Sequence, residues 1–492
     1  MSDHAHTPYD AIIVGAGISG INTAYHIQRS LPGYRYLILE GRSNIGGTWD
    51  LFRYPGIRSD TDLHTFGFGW NPWDENRAIA DGESIAKYLR RSAEKEGIDR
   101  HIRFEHQVNT ADWSSHSQLW TLKVEAKDES LHIRTRFLVL GTGYYDYKRP
   151  LEPDIPGLAN NFKNTVAHPQ FWPQDLDYEG KHVVIIGSGA TAITLLPNIA
   201  KRAAHVTMLQ RSPTYIKSIS NSTGNSWYHK VLPHAWSFKM DRVMFMLMIM
   251  FLYNWCRIFP ERSRKSLQNA IEKQLPGHIP IDPHFTPYYK PWDQRVCFAP
   301  DGDFFESLKD GSAHVETGKI QNMTTDSVIM ESGRVLLADI IVPATGLRLA
   351  IGGHIRISVD NRPVSLANSF AWRTALLQDI PNLAFMVGYV NASWTLGAET
   401  SAQLVCRVLR HMKIEGYNVA IPRMPPGSTV QRQPIWNLEA TYVKNSHNSY
   451  PGCGNSGPWK GRTNYFVDLW KAKYGSISQD MEFQKAPKSK SL

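Results

Sequence analysis

Two short glycine runs carry the most specific chemistry in this chain. Gly15, Gly17 and Gly20 stand in a GxGxxG spacing inside YDAIIVGAGISG, straight after an apolar run. Gly187, Gly189 and Ala192 repeat the pattern in KHVVIIGSGATA, with alanine in the third place, where it is tolerated. In such a turn the first glycine permits the tight bend and the second lets the backbone approach a pyrophosphate. The third lets the helix close on the strand, and the free N–H groups of the helix N-terminus face the phosphates. Glu40, twenty residues after Gly20, ends the next apolar run and is placed to accept hydrogen bonds from a ribose diol. The second repeat ends instead on Arg211 and Ser212. A guanidinium there suits a 2′-phosphate, which selects NADP over NAD. The sequence therefore predicts two dinucleotides on one chain, one a fixed flavin (FAD) and the other its reductant.

Between the cradles lies GGTWDLFRYPGIRSD, residues 46 to 60. It has neither the alternation of a strand nor the spacing of a helix, so it must wrap around something. Two glycines, Trp49, two arginines and a Tyr54-Pro55-Gly56 corner ending on Asp60 are packed into its fifteen positions.

The elements that position these residues follow from the apolar runs. Strand–glycine–helix–strand units at both cradles predict an α/β fold with two Rossmann-like domains. LWTLKVEAK and LHIRTRFLVLGTG, with Gly141 and Gly143, read as a hairpin closing the first domain, and ADIIVPATG, ending at Gly346, closes the second. The rhythm is lost after residue 216, where aromatic and helical patterning takes over. The expected division is a first FAD-binding part at 1–146, NADP-binding parts at 147–215 and 291–350, a helical insertion at 216–290, and a C-terminal FAD-binding part at 351–492. PNLAFMVGY followed by NASWTLGAETSAQLVCRVLRHM predicts a last strand and a long helix. That helix's N-terminus, near Trp394, would aim its dipole at the flavin ring.

Composition bounds the remaining possibilities. At 492 residues, two or three domains are expected. The net charge of +9 includes no basic block, which suits anionic small ligands and not a nucleic acid. Cys256, Cys297, Cys406 and Cys453 form no CxxC pair, which argues against a disulfide scaffold, a zinc site and a redox dithiol. MSDHAHTPYD has no signal-peptide pattern, so a cytoplasmic location is expected. VMFMLMIMFLY, residues 243 to 253, is apolar throughout but shorter than the ~20 residues that span a bilayer. It is either a buried or lid helix or a peripheral membrane contact.

Longer motifs add a resemblance. FKNTVAHPQFWP matches an FxGxxxHxxxW fingerprint at Phe162, His168 and Trp172, and Gly47, Trp49, Tyr54, Pro55, Gly56 and Asp60 match GxWxxxxYPGxxxD. With PWDQRVC and NASWTL, these make the chain resemble the class B flavin-dependent monooxygenases. Within them it is most similar to the type I Baeyer–Villiger monooxygenases of the ethionamide-activating branch, from about residue 9 to past 400.

The resemblance implies NADPH- and dioxygen-dependent conversion of ketones to esters or lactones through a flavin peroxide, with oxidation of thioethers or thioamides as well. It implies Arg295 as the active-site cation and Asp60 as its orienting partner, although the two could instead form a structural ion pair. The implied cofactor contacts are Gly15, Gly17, Ser19, Gly20, Glu40, Gly47, Thr48, Trp49, Arg58, Asp60 and Val108 for the flavin. For NADP they are Gly187, Ser188, Gly189, Thr191, Ala192, Arg211 and Ser212. Phe162, His168 and Trp172 are structural, His168 serving as a hinge and not as a base, and Trp394 is a candidate wall of the substrate pocket. Two departures stand out: Asn164 replaces the fingerprint glycine, where asparagine could keep a left-handed turn, and Gln294 replaces a lysine. The alternatives are an N- or S-oxygenating enzyme of the same fold, a flavin disulfide reductase, and a non-catalytic flavin-binding redox sensor. The physiological substrate and oligomeric state are not written in the sequence.

Overall fold

The computed structural model describes residues 7–127, 129–224, 226–436, 438–446 and 449–486. The first glycine unit builds as its pattern predicts. Tyr9–Val14 is a strand buried toward its C-terminal end, Ile18–Ser30 is the helix, and Tyr36–Leu39 is the second strand, parallel to the first with Ile12 opposite Leu37. Such continuous apolar strands are expected where both faces of a parallel sheet are covered. They sit in an 11-stranded sheet, in which Glu129–Leu140 pairs parallel with Tyr9–Val14 and antiparallel with Leu119–Ala126. The expected hairpin is therefore present. Residues from far along the chain return to this sheet: Arg356–Val359 pairs with His106–Ser114, and Leu383–Phe385 pairs with Glu129–Leu140.

The second unit forms a separate five-stranded parallel sheet. Its order runs from Ala313–Thr317 through His205–Gln210, His182–Ile186 and Ile340–Pro343 to Thr165–Val166. The helix Ala190–Ile199 packs on it. Two dinucleotide-type α/β domains thus coexist in the chain. Between them, Ile216–Ile219 pairs parallel with Cys297–Pro300, so the helical stretch is entered and left through adjacent strands. That stretch includes the 25-residue helix His234–Ile258 and the helix Pro260–Glu272.

The segment 46–60 does what neither regular element could. After the one-turn helix Thr48–Leu51, residues Leu51, Phe52 and Tyr54 leave the first domain and pack into the core of the second beside Ile185, Ile193 and Leu196. Gly56 turns with φ +74°, and a Cβ there would lie 2.1 Å from Asn198 Nδ2, so only glycine fits this crossing. The fingerprint positions behave as structural residues. Phe162 and Trp172 are buried in the second domain. His168 Nδ1 accepts a hydrogen bond from the Gln170 amide, and its Nε2 lies 3.3 Å from the Leu151 carbonyl. Asn164 corrects the sequence reading: its backbone is not left-handed, and its side chain instead donates to the Ala338 carbonyl at 3.1 Å.

Asp62 caps the short helix Leu63–Phe66, accepting from the Thr65 amide at 2.7 Å. Burial pushes its carboxyl from 3.8 to about 6, against the opposing hydrogen bonds from Thr65 and the charge of Arg242. A folded value raised in this way contributes stability below the unfolded value that is lost as pH rises through the folded one. The two-unit difference corresponds to ~3 kcal/mol. Asp62→Asn should therefore match the wild type near pH 3 and become progressively more stable than it between about pH 4 and 6, then hold constant. Melting temperatures across that range test this; a pH-independent difference would show that Asp62 is not held protonated.

Candidate active site

The first cradle is shaped by contacts that exclude side chains. Gly15 has φ +104°, and a Cβ on it would meet the Gly141 carbonyl at 2.6 Å. A Cβ on Gly20 would fall 1.9 Å from the Gly15 carbonyl, so helix and turn close as the third glycine requires. Gly17 caps the helix without any side-chain hydrogen bond, and it faces Gly47, where a Cβ would lie 3.2 Å from the Gly17 Cα. Uncapped first-turn amides above a side-chain-free surface fit a pyrophosphate. Glu40 is buried, with its carboxylate accepting from the Ala16 amide at 2.6 Å and the Arg42 amide at 2.9 Å. Burial raises its pKa, and the two amide donors and Arg42 counter that effect. Hydroxyl donors from a ribose would add to the same side of that balance. These residues fit FAD.

The second cradle has the same form with more open space. Gly187 has φ +139° and abuts the Ala344 carbonyl, whereas nothing lies within 4 Å of a Cβ on Gly189. Ser188 Oγ donates to the Ser212 carbonyl at 2.8 Å, and Ala192 is fully buried in the helix contact. Beside Ala344, Thr345 Oγ1 is buried without a hydrogen-bond partner. Arg211 is exposed just after the strand His205–Gln210 and has no ion-pair partner among the described residues. A free guanidinium beside an open glycine turn fits a 2′-phosphorylated dinucleotide. Thr191 of this cradle lies beside the buried Tyr54 hydroxyl, so segment 46–60 packs against it.

Asp60 and Arg295 come together across 235 residues of sequence, with Arg295 Nη1 donating to Asp60 Oδ2. Arg295 Nε reaches the Val390 carbonyl at 3.3 Å. Both side chains keep substantial exposure, 32% for Arg295 and 42% for Asp60. Burial pulls the Arg295 pKa down, while the neighbouring Asp60 leads the effects that raise it, and the net shift is upward; Tyr144, Tyr145 and Tyr442 stand around the guanidinium. The guanidinium is thus a fixed cation. It lines a small cavity with Asp60, Asp62, Trp292, Asn391 and Ile249, the last from the long inserted helix.

Some expected residues lie elsewhere. Arg58, expected as a cofactor contact, is ion-paired with Asp303, whose helix Asp303–Lys309 belongs to the later part of the chain. Trp394 begins the long helix as expected but does not line the cavity. Its indole N–H donates to Ser19 Oγ at 2.9 Å, and its ring stacks on Tyr144. Val108 is buried in the strand His106–Ser114, so only its backbone could serve a ligand, and Gln107 Nε2 already donates to its carbonyl at 3.2 Å. Thr48 Oγ1 lies 3.1 Å from the Tyr147 hydroxyl, and Trp49 packs edge-on to Phe66. Sequence reasoning missed Tyr144, Tyr145 and Tyr442 around Arg295. GTGYYDY, directly after the glycine pair, was the available signal for the first two.

Comparisons with known proteins agree with this architecture. Residues 12–227 match the pyridine nucleotide-disulphide oxidoreductase family model. The disulphide part of that description has no counterpart here, since all four cysteines are free and buried. The chain is 42% identical over 487 residues to the FAD-containing monooxygenase EthA of Mycolicibacterium smegmatis, covering 98% of this chain and 97% of that one. Among solved structures it superposes on OTEMO in complex with FAD and NADP (TM-score 0.69, 22% identity, 85% of this chain and 88% of that chain). It also superposes on an oxidized steroid monooxygenase bound to NADP (TM-score 0.72, 20% identity, 97% and 100%). Those likenesses give the shared two-domain fold, while the near-complete match to EthA gives the family: this chain belongs to the FAD-containing monooxygenases.

Proposed function

We propose that the protein is an NADPH- and dioxygen-dependent Baeyer–Villiger monooxygenase that converts ketones to esters or lactones and also oxidises thioethers or thioamides. The observation that carries this reading is the Arg295–Asp60 pair, lining a small cavity in a chain that also folds two dinucleotide cradles. Bound FAD supplies hydride acceptance from NADPH and activation of dioxygen.

The chain's own residues do the remaining work. The helix N-terminus after Gly17, with Glu40, holds the flavin nucleotide, and the turn at Gly187–Gly189 with Arg211 holds NADP. Asp60 anchors one Nη of Arg295 and Val390 its Nε, leaving the rest of the guanidinium fork to donate to developing negative charge on a substrate oxygen. Trp292, Val390 and Ile249 give the cavity an apolar wall beside the guanidinium.

Arg295→Ala should leave flavin reduction by NADPH within about threefold of the wild type but lower ester formation by about 100-fold or more, the usual cost of one lost charge-stabilising donor. Stopped-flow reduction and product analysis read the two separately; normal ester yield would remove Arg295 from the mechanism. Arg211→Ala should raise KM for NADPH about 10- to 100-fold and leave KM for NADH unchanged, as expected for loss of one charge-assisted hydrogen-bond site. An equal rise with both nucleotides would place Arg211 outside the 2′-phosphate site.

Glycine substitutions separate the cradles from the fold. Gly20→Ala forces a Cβ onto the Gly15 carbonyl and should yield unstable protein without flavin. Gly189→Ala meets open space and should fold with an unchanged melting temperature while weakening NADPH binding. Unaltered nucleotide affinity in the second variant would count against that turn as the NADP cradle.

A further inference from the structure

The helix His234–Ile258 contains the apolar run 243–253, and its exposed face is unusual for a protein surface. Met240, Val243, Met244, Leu247, Met248 and Phe251 all lie open to solvent at helical spacing, Phe251 with 71% of its surface exposed. Together they form one uncharged stripe along the middle of a helix about 37 Å long. Contiguous apolar patches of this kind mark interaction surfaces.

The opposite face binds the protein. Phe238, Leu252 and Cys256 are buried there. Asp241 accepts from the Tyr228 hydroxyl at 2.6 Å and meets His229 at 2.9 Å, and Arg242 donates to the carbonyls of His64, Thr65 and Gly67. A helix so anchored cannot cross a bilayer. The following helix, Pro260–Glu272, turns away from it by 117°. The geometry is that of a helix lying along a surface.

Charge identifies the surface. Along residues 226–273 the exposed cations are Lys230, Lys239, Arg262, Lys265 and Lys273, with Arg257 paired to Asp293 at 2.7 Å, against the exposed acids Glu261 and Glu272. Two of these cations sit over aromatic rings at the ends of the stripe: Lys239 over Trp236 at 5.2 Å and Arg262 over Phe259 at 5.6 Å. Apolar centre, aromatic and basic ends, and a cationic excess are the features of helices that bind anionic lipid interfaces. Ile249, from the same helix, reaches the cavity that holds Arg295.

We propose that this helix docks the protein on an anionic lipid surface and that the enzyme takes lipid-partitioned apolar ketones from there. The docking half stands on the surface alone, while the delivery half rests on the oxygenase reading. The test uses the FAD-loaded full chain and its Leu247→Glu/Phe251→Glu variant, neither position lining the cavity. Both are sedimented with vesicles of equal parts phosphatidylglycerol and phosphatidylcholine, and with vesicles of phosphatidylcholine alone.

The wild type should sediment with the anionic vesicles, less with the neutral ones, and progressively less as salt screens the charges. The variant should lose about tenfold or more of the bound fraction. For delivery, kcat/KM for a long-chain methyl ketone presented in the anionic vesicles should fall in the variant, with a short water-soluble ketone turned over normally. Failure of the wild type to sediment, equal binding to both vesicle types, or undiminished binding by the variant would overturn docking. So would a variant that merely dissociates an oligomer, since that assigns the face to a second copy of the chain. Equal losses on both ketones would overturn delivery. Sedimentation without turnover of any ketone would sink the oxygenase reading and leave docking in place.

Discussion

The ion pair between Arg295 and Asp60 is the constraint on which the arrangement of the site depends. It joins three stretches that the chain keeps far apart: the loop ending at residue 60, the segment that leaves the helical insertion, and the turn before the long helix, through Val390. Exposed pairs of this kind contribute about 0–1 kcal/mol to stability, so stability alone gives little reason to place one here. What the pair does achieve is a guanidinium fixed in direction, with the Asp60 carboxylate beside it offsetting the cost of partial burial. A cation aimed in advance need not reorganise when negative charge develops nearby, and that preorganisation is where such sites find most of their effect.

The segment 46–60 makes the convergence possible because it belongs to both domains. Gly46 and Gly47 lie against the first cradle, while Leu51, Phe52 and Tyr54 are core residues of the second. Tyr54 is buried beside Thr191, so the loop that carries Asp60 also packs on the first turn of the second nucleotide helix. Arg58 adds a further link through Asp303. These fifteen residues, regular only in the turn Thr48–Leu51, are thereby held by contacts at each end, which explains how so irregular a segment keeps its side chains in place.

The parts legible in the sequence were those whose physics is local. Each glycine turn is specified within about thirty residues by strand, spacing and helix, and both folded as read. The Arg295–Asp60 pair was legible only through longer motifs, since no local rule connects positions 235 residues apart. Where such motifs were silent, the reading failed. Nothing near Arg58 announces Asp303, and nothing in NASWTL shows that Trp394 turns its indole to Ser19 and leaves the cavity to its neighbours Asn391, Ala392 and Ser393. Asn164 shows the limit differently. The substitution was visible, but whether it preserves a left-handed turn or removes it depends on a carbonyl 174 residues away.

The inserted helix also explains why buried charge is retained next to the site. Arg242 spends one nitrogen on three backbone carbonyls and another on Glu399 at 3.1 Å, satisfying most of its donors inside the protein. Breaking such an arrangement would leave an uncompensated buried charge, which is far more costly than the intact network is stabilising. The neighbouring His64 is held neutral, its pKa lowered to about 4 by burial, and it stacks on Phe245 of the same helix. Apolar packing alone would let a methionine-rich helix slide, because methionine side chains adapt to many registers. Directional bonds from Arg242 to residues 64–67 fix one register, and with it the position of Ile249 two turns along the helix, where the helix meets the cavity beside Arg295. The geometry of this cavity wall is therefore set by an ion buried outside it.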